Sequence, residues 1–313
     1  MTEKIPVLVL FGPTASGKTK LAVEICKELG GEVVTADSMQ VYKKMNIGTA
    51  KPDEEEQCGI KHHMIDVVEP DVNYSLADYT EAARKVIEDV YSRGKLPVLA
   101  GGTGLYIDTL IGGIKLGEGE TDLEYRKELY TLAEEKGNEF VHSMLADIDK
   151  KSAEEIHPNN LKRVIRALEL YKVSKITRSE HIENSRPEET PYNTMKFCIS
   201  TDREKLYERI NKRVDIMFDN GLLDEVKSLI DGGIDTSCTS MQGIGYKETA
   251  LYLSGQMSLD ETKDLIKQST RRYAKRQITW FKREKDTFLI EPDISKVKEI
   301  IKNYSKNSFF VVQ

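Results

Sequence analysis

VLVLFGPTASGKTKLAVEICKEL, residues Val7–Leu29, places an apolar run, a glycine-bounded loop and a helix-prone segment in immediate succession. Val7–Phe11 reads as a buried strand, and Lys18–Leu29 as the helix after it. Between them, Gly12, Pro13, Thr14, Ala15, Ser16, Gly17, Lys18 and Thr19 fit G-x-x-x-x-G-K-[ST] in the strand-to-helix context that this phosphate loop requires. The two glycines let backbone N–H groups approach phosphate oxygens. Lys18 supplies a point charge, and the Thr19 hydroxyl can reach a Mg²⁺ ion. The helix N-terminus adds its dipole. The loop calls for a phosphorylated ligand and leaves its identity open.

Outward from this unit, short apolar runs alternate with amphipathic stretches over the first hundred residues, which predicts an α/β fold with a mostly parallel sheet flanked by helices. Glu32–Ala36, His63–Val67 and Leu96–Ala100 are the next expected strands, with a helix over Leu76–Tyr91 before the last. From about Gly117 the sequence turns charged and helix-prone until KFCIS, Lys196–Ser200, restores the strand pattern. The expected organisation is a core at 1–117, a helical insertion at 118–194, and the rest of the core at 195–313. SRPEETPYN, with two prolines, is the expected hinge on the return. Helices follow from Arg203–Phe218 to about Arg283, then a strand at Thr287–Ile290.

The chain has 313 residues, 39% hydrophobic and 31% charged, enough for one large domain carrying an insertion. A net charge of -6 does not by itself suggest a nucleic acid, so any such partner must be met by a local cluster of basic residues. The four cysteines form no CxxC pair and the histidines no HExxH, which argues for reduced, structural cysteines and a cytoplasmic setting. The run Ile5–Phe11 is too short for a signal-peptide core, and no stretch approaches a membrane span. Nothing marks a self-associating surface, so a monomer is expected.

In an open parallel sheet, ligands bind beyond the carboxyl ends of the strands. Asp37-Ser38-Met39-Gln40 follows the second strand and Gly101-Gly102-Thr103-Gly104 the fourth, which brings Asp37 and Thr103 toward the bound phosphates. From position alone, Asp37 is a general base, a group behind a Mg²⁺ ion, or a helix cap. Gly101 and Gly102 allow a close backbone approach to a ligand or an ordinary tight turn.

Two helical segments are candidates for a nucleic-acid surface. TRRYAKRQITWFKR, Thr270–Arg283, is densely basic without an acidic residue. Arg272, Lys275, Arg276, Thr279 and Lys282 or Arg283 fall on one broad face, opposite a stripe of Ala274, Ile278 and Phe281, with Gln277 and Trp280 at the margins. LKRVIRALELY in the insertion leaves Lys162, Arg163 and Arg166 on one face. A solvated charged face is the plain alternative for both. Arg209 and Arg213, four apart near a stripe of Leu206, Ile210 and Met217, offer either a diphosphate clamp or surface ion pairs. The loop and Asp37 also suit a small-molecule kinase, and the basic face suits a noncatalytic RNA-binding switch.

GPTASGKT, ADSMQVYKKMNIGTAKP, HHMIDV, AGGTGLY, HPNNLKRVIRALE, QGIGYKE and KRQITWFKR together span nearly the whole chain. In that order they resemble the bacterial tRNA dimethylallyltransferase family. The resemblance implies a phosphate-loop fold and transfer of a dimethylallyl group from dimethylallyl diphosphate to N6 of the adenosine 3′-adjacent to the anticodon. It implies Asp37 as the base on the adenine amine with Thr103 beside it, Arg213 on the diphosphate, and Mg²⁺ as cofactor. It also places Ser38, Met39, Gln40, Arg126, Gln242, Gly243, Gly245, Tyr246 and Lys247 with the basic helices on the anticodon arm of tRNA. A stacked adenine must be extruded to react, and the isoprenoid tail needs an apolar channel.

Overall fold

The computed structural model describes residues 4–114, 122–185 and 189–305. The chain divides into two compact units, one made of residues up to Ile111 and from Pro191 onward, the other of Gly112–Thr190.

The first unit is built on strands β1 (Ile5–Phe11), β2 (Gly31–Ala36), β3 (His62–His63), β4 (Leu96–Gly101), β5 (Tyr192–Ile199) and β6 (Thr287–Ile290). They pair in parallel throughout, in the order β3-β2-β4-β1-β5-β6. Because side chains alternate along a strand, Val7, Val9 and Phe11 of β1 enter one core and Leu8 and Leu10 the other. A sheet covered on both faces explains why VLVLF carries no polar residue. Among the helices of this unit, α1 (Lys18–Leu29), α2 (Glu54–Gln57), α3 (Leu76–Ser92) and α4 (Gly104–Ile111) precede the second unit. That unit holds α5 (Leu123–Lys136), α6 (Asn138–Ile148), α7 (Lys150–Glu155), α8 (Leu161–Ser174) and α9 (Arg178–Ser185). The first unit then resumes with α10 (Arg203–Asp219), α11 (Leu222–Asp231), α12 (Tyr246–Leu253), α13 (Leu259–Phe281) and α14 (Ile294–Ser305).

Two local expectations need correction. The strand expected over His63–Val67 ends at His63, because Met64 and Asp66 take positive φ (64° and 53°) and turn the chain away from the sheet. The hinge expected in SRPEETPYN is partly strand, since Tyr192 and Asn193 pair with Ile5 and Pro6 of β1. Residues 186–188 of that segment, and 118–121 of the expected insertion, lie outside the described residues.

Within the second unit, Leu129, Val141, Leu145, Val164, Ile165 and Leu168 form a separate apolar core. The carboxylate of Glu169 is fully buried beside it. It accepts from Arg126 Nε at 2.8 Å, from Arg166 Nη1, and from the Asp122 N–H at 2.9 Å. Burial opposes the charge, but these donors prevail and hold the carboxyl below its usual range. Among the described residues of the chain, no helix is long and apolar enough to cross a membrane.

Candidate active site

The loop after β1 is shaped by its backbone. Gly17 sits at φ 92°, a left-handed conformation that suits glycine, and Ala15 shares that region at φ 61°. Lys18 folds back so that Nζ donates to the Pro13 carbonyl at 2.7 Å. Burial and then the neighbouring Arg213 charge bring the Lys18 pKa down to about 7, against a weaker pull from Asp37. The free loop therefore holds its ammonium under strain that an arriving anion relieves. Ser16 is fully buried and its Oγ has no hydrogen-bond partner among the described residues, and Thr19 is exposed at the mouth of the loop.

Thr14–Thr19, Asp37, Gln40, Arg213, Tyr273 and Gln277 line one cavity of about 520 Å³ at the carboxyl end of the sheet. Asp37 Oδ1 accepts from the N–H groups of Met39 (2.9 Å) and Gln40 (3.4 Å). Asp37 thus closes a turn and caps no helix, since none follows β2 there, and the carboxylate lines the cavity as well. Burial raises the Asp37 pKa, offset in part by the two N–H bonds, Lys18 and Arg213. Thr103 Oγ1 accepts from the Ser38 N–H at 3.2 Å, tying the end of β2 to the end of β4. Arg213 reaches Thr14 Oγ1 at 3.4 Å from α10, whereas Arg209 is exposed and does not line the cavity.

Two cavity residues escaped the sequence reading. Tyr273 lies beside Thr103 and Gln277, and burial pushes its phenol up to about 12, so it stays neutral. The basic character of its helix hid it. His62 sets Nδ1 2.9 Å from the Ile60 carbonyl, which fixes the proton on that nitrogen. Its Nε2 is buried without a partner among the described residues, and burial holds the ring below its ordinary pKa. His62 lies in the HHMIDV motif, whose order and sequence carry the family resemblance but assign the imidazole no role.

Comparison with known proteins gives this cavity a context. A family model described as IPP transferase matches residues 40–284. A curated tRNA dimethylallyltransferase from Acetivibrio thermocellus is 53% identical over 298 residues, 95% of each chain. The chain belongs to the IPP transferase family. Among solved structures, the full-length tRNA isopentenylpyrophosphate transferase of Bacillus halodurans is 42% identical with a TM-score of 0.71, over 97% of this chain and 96% of that one. A eukaryotic dimethylallyltransferase acting on tRNA is 28% identical with a TM-score of 0.79, over 98% and 81%.

The residues in the IPP transferase motifs fall into two groups. Lys275, Arg276 and Lys282 of the basic helix are exposed, as are Lys162 and Arg163 of α8, Gln242 and Lys247. Others face inward. Gln277 is not at the margin of α13: it is only 5% exposed, accepts from the Thr14 N–H at 2.9 Å and donates to the Gly102 carbonyl at 2.9 Å. Trp280 is half-buried, with Nε1 donating to Asp108 Oδ2 at 2.7 Å. Tyr246, Gly243 and Gly245 are buried, and Met39 packs against Gly243. Arg126 and Arg166 are engaged with Glu169. The GGTG glycines make room for neighbours, since a Cβ at Gly102 would meet Gln277 Nε2 at 2.2 Å and one at Gly104 would meet the Trp280 ring at 2.5 Å.

Proposed function

We propose that this protein transfers the dimethylallyl group of dimethylallyl diphosphate to N6 of the adenosine 3′-adjacent to the anticodon of tRNA, releasing diphosphate. The observation that carries the reading is the single cavity in which a phosphate loop, Arg213 and a carboxylate of raised pKa meet. An exocyclic adenine amine is a poor nucleophile because its lone pair is delocalised into the ring. In the reaction the N6–C1 bond forms as the C1–O bond to diphosphate breaks, and the amine proton passes to Asp37. A base so placed contributes about a hundred- to ten-thousand-fold. Thr103, fixed by Ser38 N–H and neighbouring Tyr273, orients the amine. Lys18, Arg213 and the loop N–H groups meet the charge that grows on the leaving diphosphate.

Mg²⁺ fits the same site. The available donors are hydroxyls, Thr19 at the cavity and the unpartnered Ser16 Oγ, and among the described residues no group of three His, Cys, Asp or Glu forms a cage. Thr19 would hold the Mg²⁺ ion, which would supply neutralisation of the diphosphate charge. The exposed basic residues of α13 and α8 hold the RNA backbone. Gln277, Tyr246 and Met39 support the site from within. The enzyme acts as a monomer in the cytoplasm, where its RNA substrate is found.

Incubation with tRNA, dimethylallyl diphosphate and Mg²⁺ in the absence of ATP tests the reading, with N6-prenylated adenosine as the expected product. Failure under these conditions, with turnover appearing only when ATP is added, would replace it with a kinase. Changing Lys275 and Arg276 together to Gln is expected to flatten the dependence of log affinity on log salt by about 0.7 per lost single-stranded contact.

A further inference from the structure

Outside the phosphate loop, the cavity wall with the greatest number of anchoring bonds is Asn46–Lys51, and a carboxylate remote from the phosphates holds it. Glu225 of α11 accepts through Oε2 from the N–H groups of Asn46 (2.9 Å) and Ile47 (2.8 Å). Through Oε1 it accepts from the Gly48 N–H (3.1 Å) and the Tyr246 hydroxyl (2.6 Å). The Tyr246 ring lies against Gly48 so closely that a Cβ there would meet it at 2.4 Å. The far end of the same segment is gripped by Gln40, whose Nε2 donates to the carbonyls of Thr49 (3.1 Å) and Ala50 (3.2 Å). Gln40 in turn donates its own N–H to Asp37 Oδ1. A continuous run of hydrogen bonds thus leads from Tyr246 and Glu225, through the wall segment and Gln40, to Asp37.

We propose that Glu225 is a positioning residue for the prenyl-transfer reaction, acting through the segment Asn46–Lys51 and Gln40 to set the orientation of the Asp37 carboxylate. The proposal rests on the reading of Asp37 as the base. All four partners of Glu225 are donors, so both oxygens must accept. A glutamine keeps both bonds of one pair, but its NH₂ then faces at least one backbone N–H on the other side, since of the four partners only the Tyr246 hydroxyl can turn to accept. The buried Tyr246 of the QGIGYKE motif thereby acquires a part in the reaction without touching RNA.

The test is a double-mutant cycle of Glu225→Gln and Gln40→Ala on the single-turnover rate at saturating tRNA and dimethylallyl diphosphate. Each single change is expected to slow the step about tenfold while affinity for inorganic diphosphate stays within about twofold, since the loss of one charge-assisted hydrogen bond is of that size. The double variant is expected to be no slower than the slower single, as residues in one chain of contacts are not additive. Fully additive slowing would overturn the proposal. Tyr246→Phe removes one of the four donors, keeps the ring over Gly48, and is expected to show the same pattern more weakly, which covers a Glu225→Gln protein that folds poorly. Amide hydrogen exchange supplies a readout free of activity. The Met39 and Gln40 amides, which donate to Asp37, are expected to exchange faster in Glu225→Gln. Unchanged exchange there would overturn the proposal even if wild type formed no prenylated RNA, an outcome that by itself breaks the transferase reading alone.

Discussion

Strand β2 carries a buried acidic group near its start and another just past its end, and the two live in opposite electrostatic worlds. Glu32 is 3% exposed and is surrounded by polar partners: Arg93 donates to both its oxygens at 2.8 and 2.7 Å, Lys95 at 2.6 Å, and His63 Nε2 lies at 2.7 Å. The Arg93 hydrogen bonds, against the pull of burial, hold its carboxyl far below the usual range. Asp37, the residue directly after β2, has two backbone donors and more distant cations, and burial prevails to raise its pKa. A carboxylate with a complete set of partners is structural. One left short of partners, in a cavity, retains affinity for a proton and can do chemistry.

Five experiments bear on this contrast. The largest effect is expected from Asp37→Ala, a loss of about a hundredfold or more in single-turnover prenylation with tRNA binding largely retained. Near-normal turnover in the folded variant would erase the distinction. In the wild type, the acid limb of kcat/KM is expected above the ordinary aspartate value of about 3.9, because the rate falls as Asp37 takes up its proton at a raised pKa.

Glu32→Gln is expected to do the reverse, lowering stability by about 1–3 kcal/mol while leaving the rate per folded molecule unchanged. The figure is discounted because the Arg93 and Lys95 side chains are 36% and 47% exposed and water takes up part of the loss. Since the folded pKa of Glu32 is depressed, its contribution is complete above the unfolded value of about 4.3 and fades as pH falls below it. Melting curves of wild type and variant should therefore converge on acidification.

A smaller effect follows from Lys18. With its pKa near 7 in the free protein, diphosphate binding at neutral pH should draw in a fraction of a proton as the anion restores the ammonium. Calorimetric binding enthalpies in buffers of different ionisation enthalpy measure this uptake, and Lys18→Met should abolish it. The smallest is Lys95→Met, expected to cost about 0.5 kcal/mol in urea melts, because Arg93 and His63 still satisfy Glu32.

The sequence made some of this contrast readable and hid the rest. Strand β1, helix α1 and strand β6 lie at or near their expected bounds because local pattern and burial agree there. Asp37 lines the same cavity as the phosphate loop, and Thr103 is tied to the neighbouring Ser38 N–H, since the ends of parallel strands converge by topology, while Arg213 reaches the loop from α10. His63–Val67 looked like a strand because its composition is apolar, and nothing in composition announces the left-handed turns at Met64 and Asp66. Gln277 and Tyr246 looked like surface residues of basic or glycine-rich motifs. Their partners, Thr14 and Glu225, lie 263 and 21 residues away, and such pairings arise only on folding.

Helix α13 joins these regions in a way that reaches past any one contact. Lys275 and Arg276 point to solvent on the same turn from which Gln277 reaches inward to the Thr14 N–H and the Gly102 carbonyl. Successive residues of a helix advance only 1.5 Å along its axis. The helix therefore works as a caliper, with one jaw among the exposed basic side chains and the other on the phosphate loop inside. Its setting is fixed by the missing Cβ of Gly102 and Gly104, against which Gln277 and Trp280 are seated. A side chain introduced at Gly102 would reset the gap without altering a single charged group, so Gly102 and Gln277 are expected to change together, or not at all, as the family diverges.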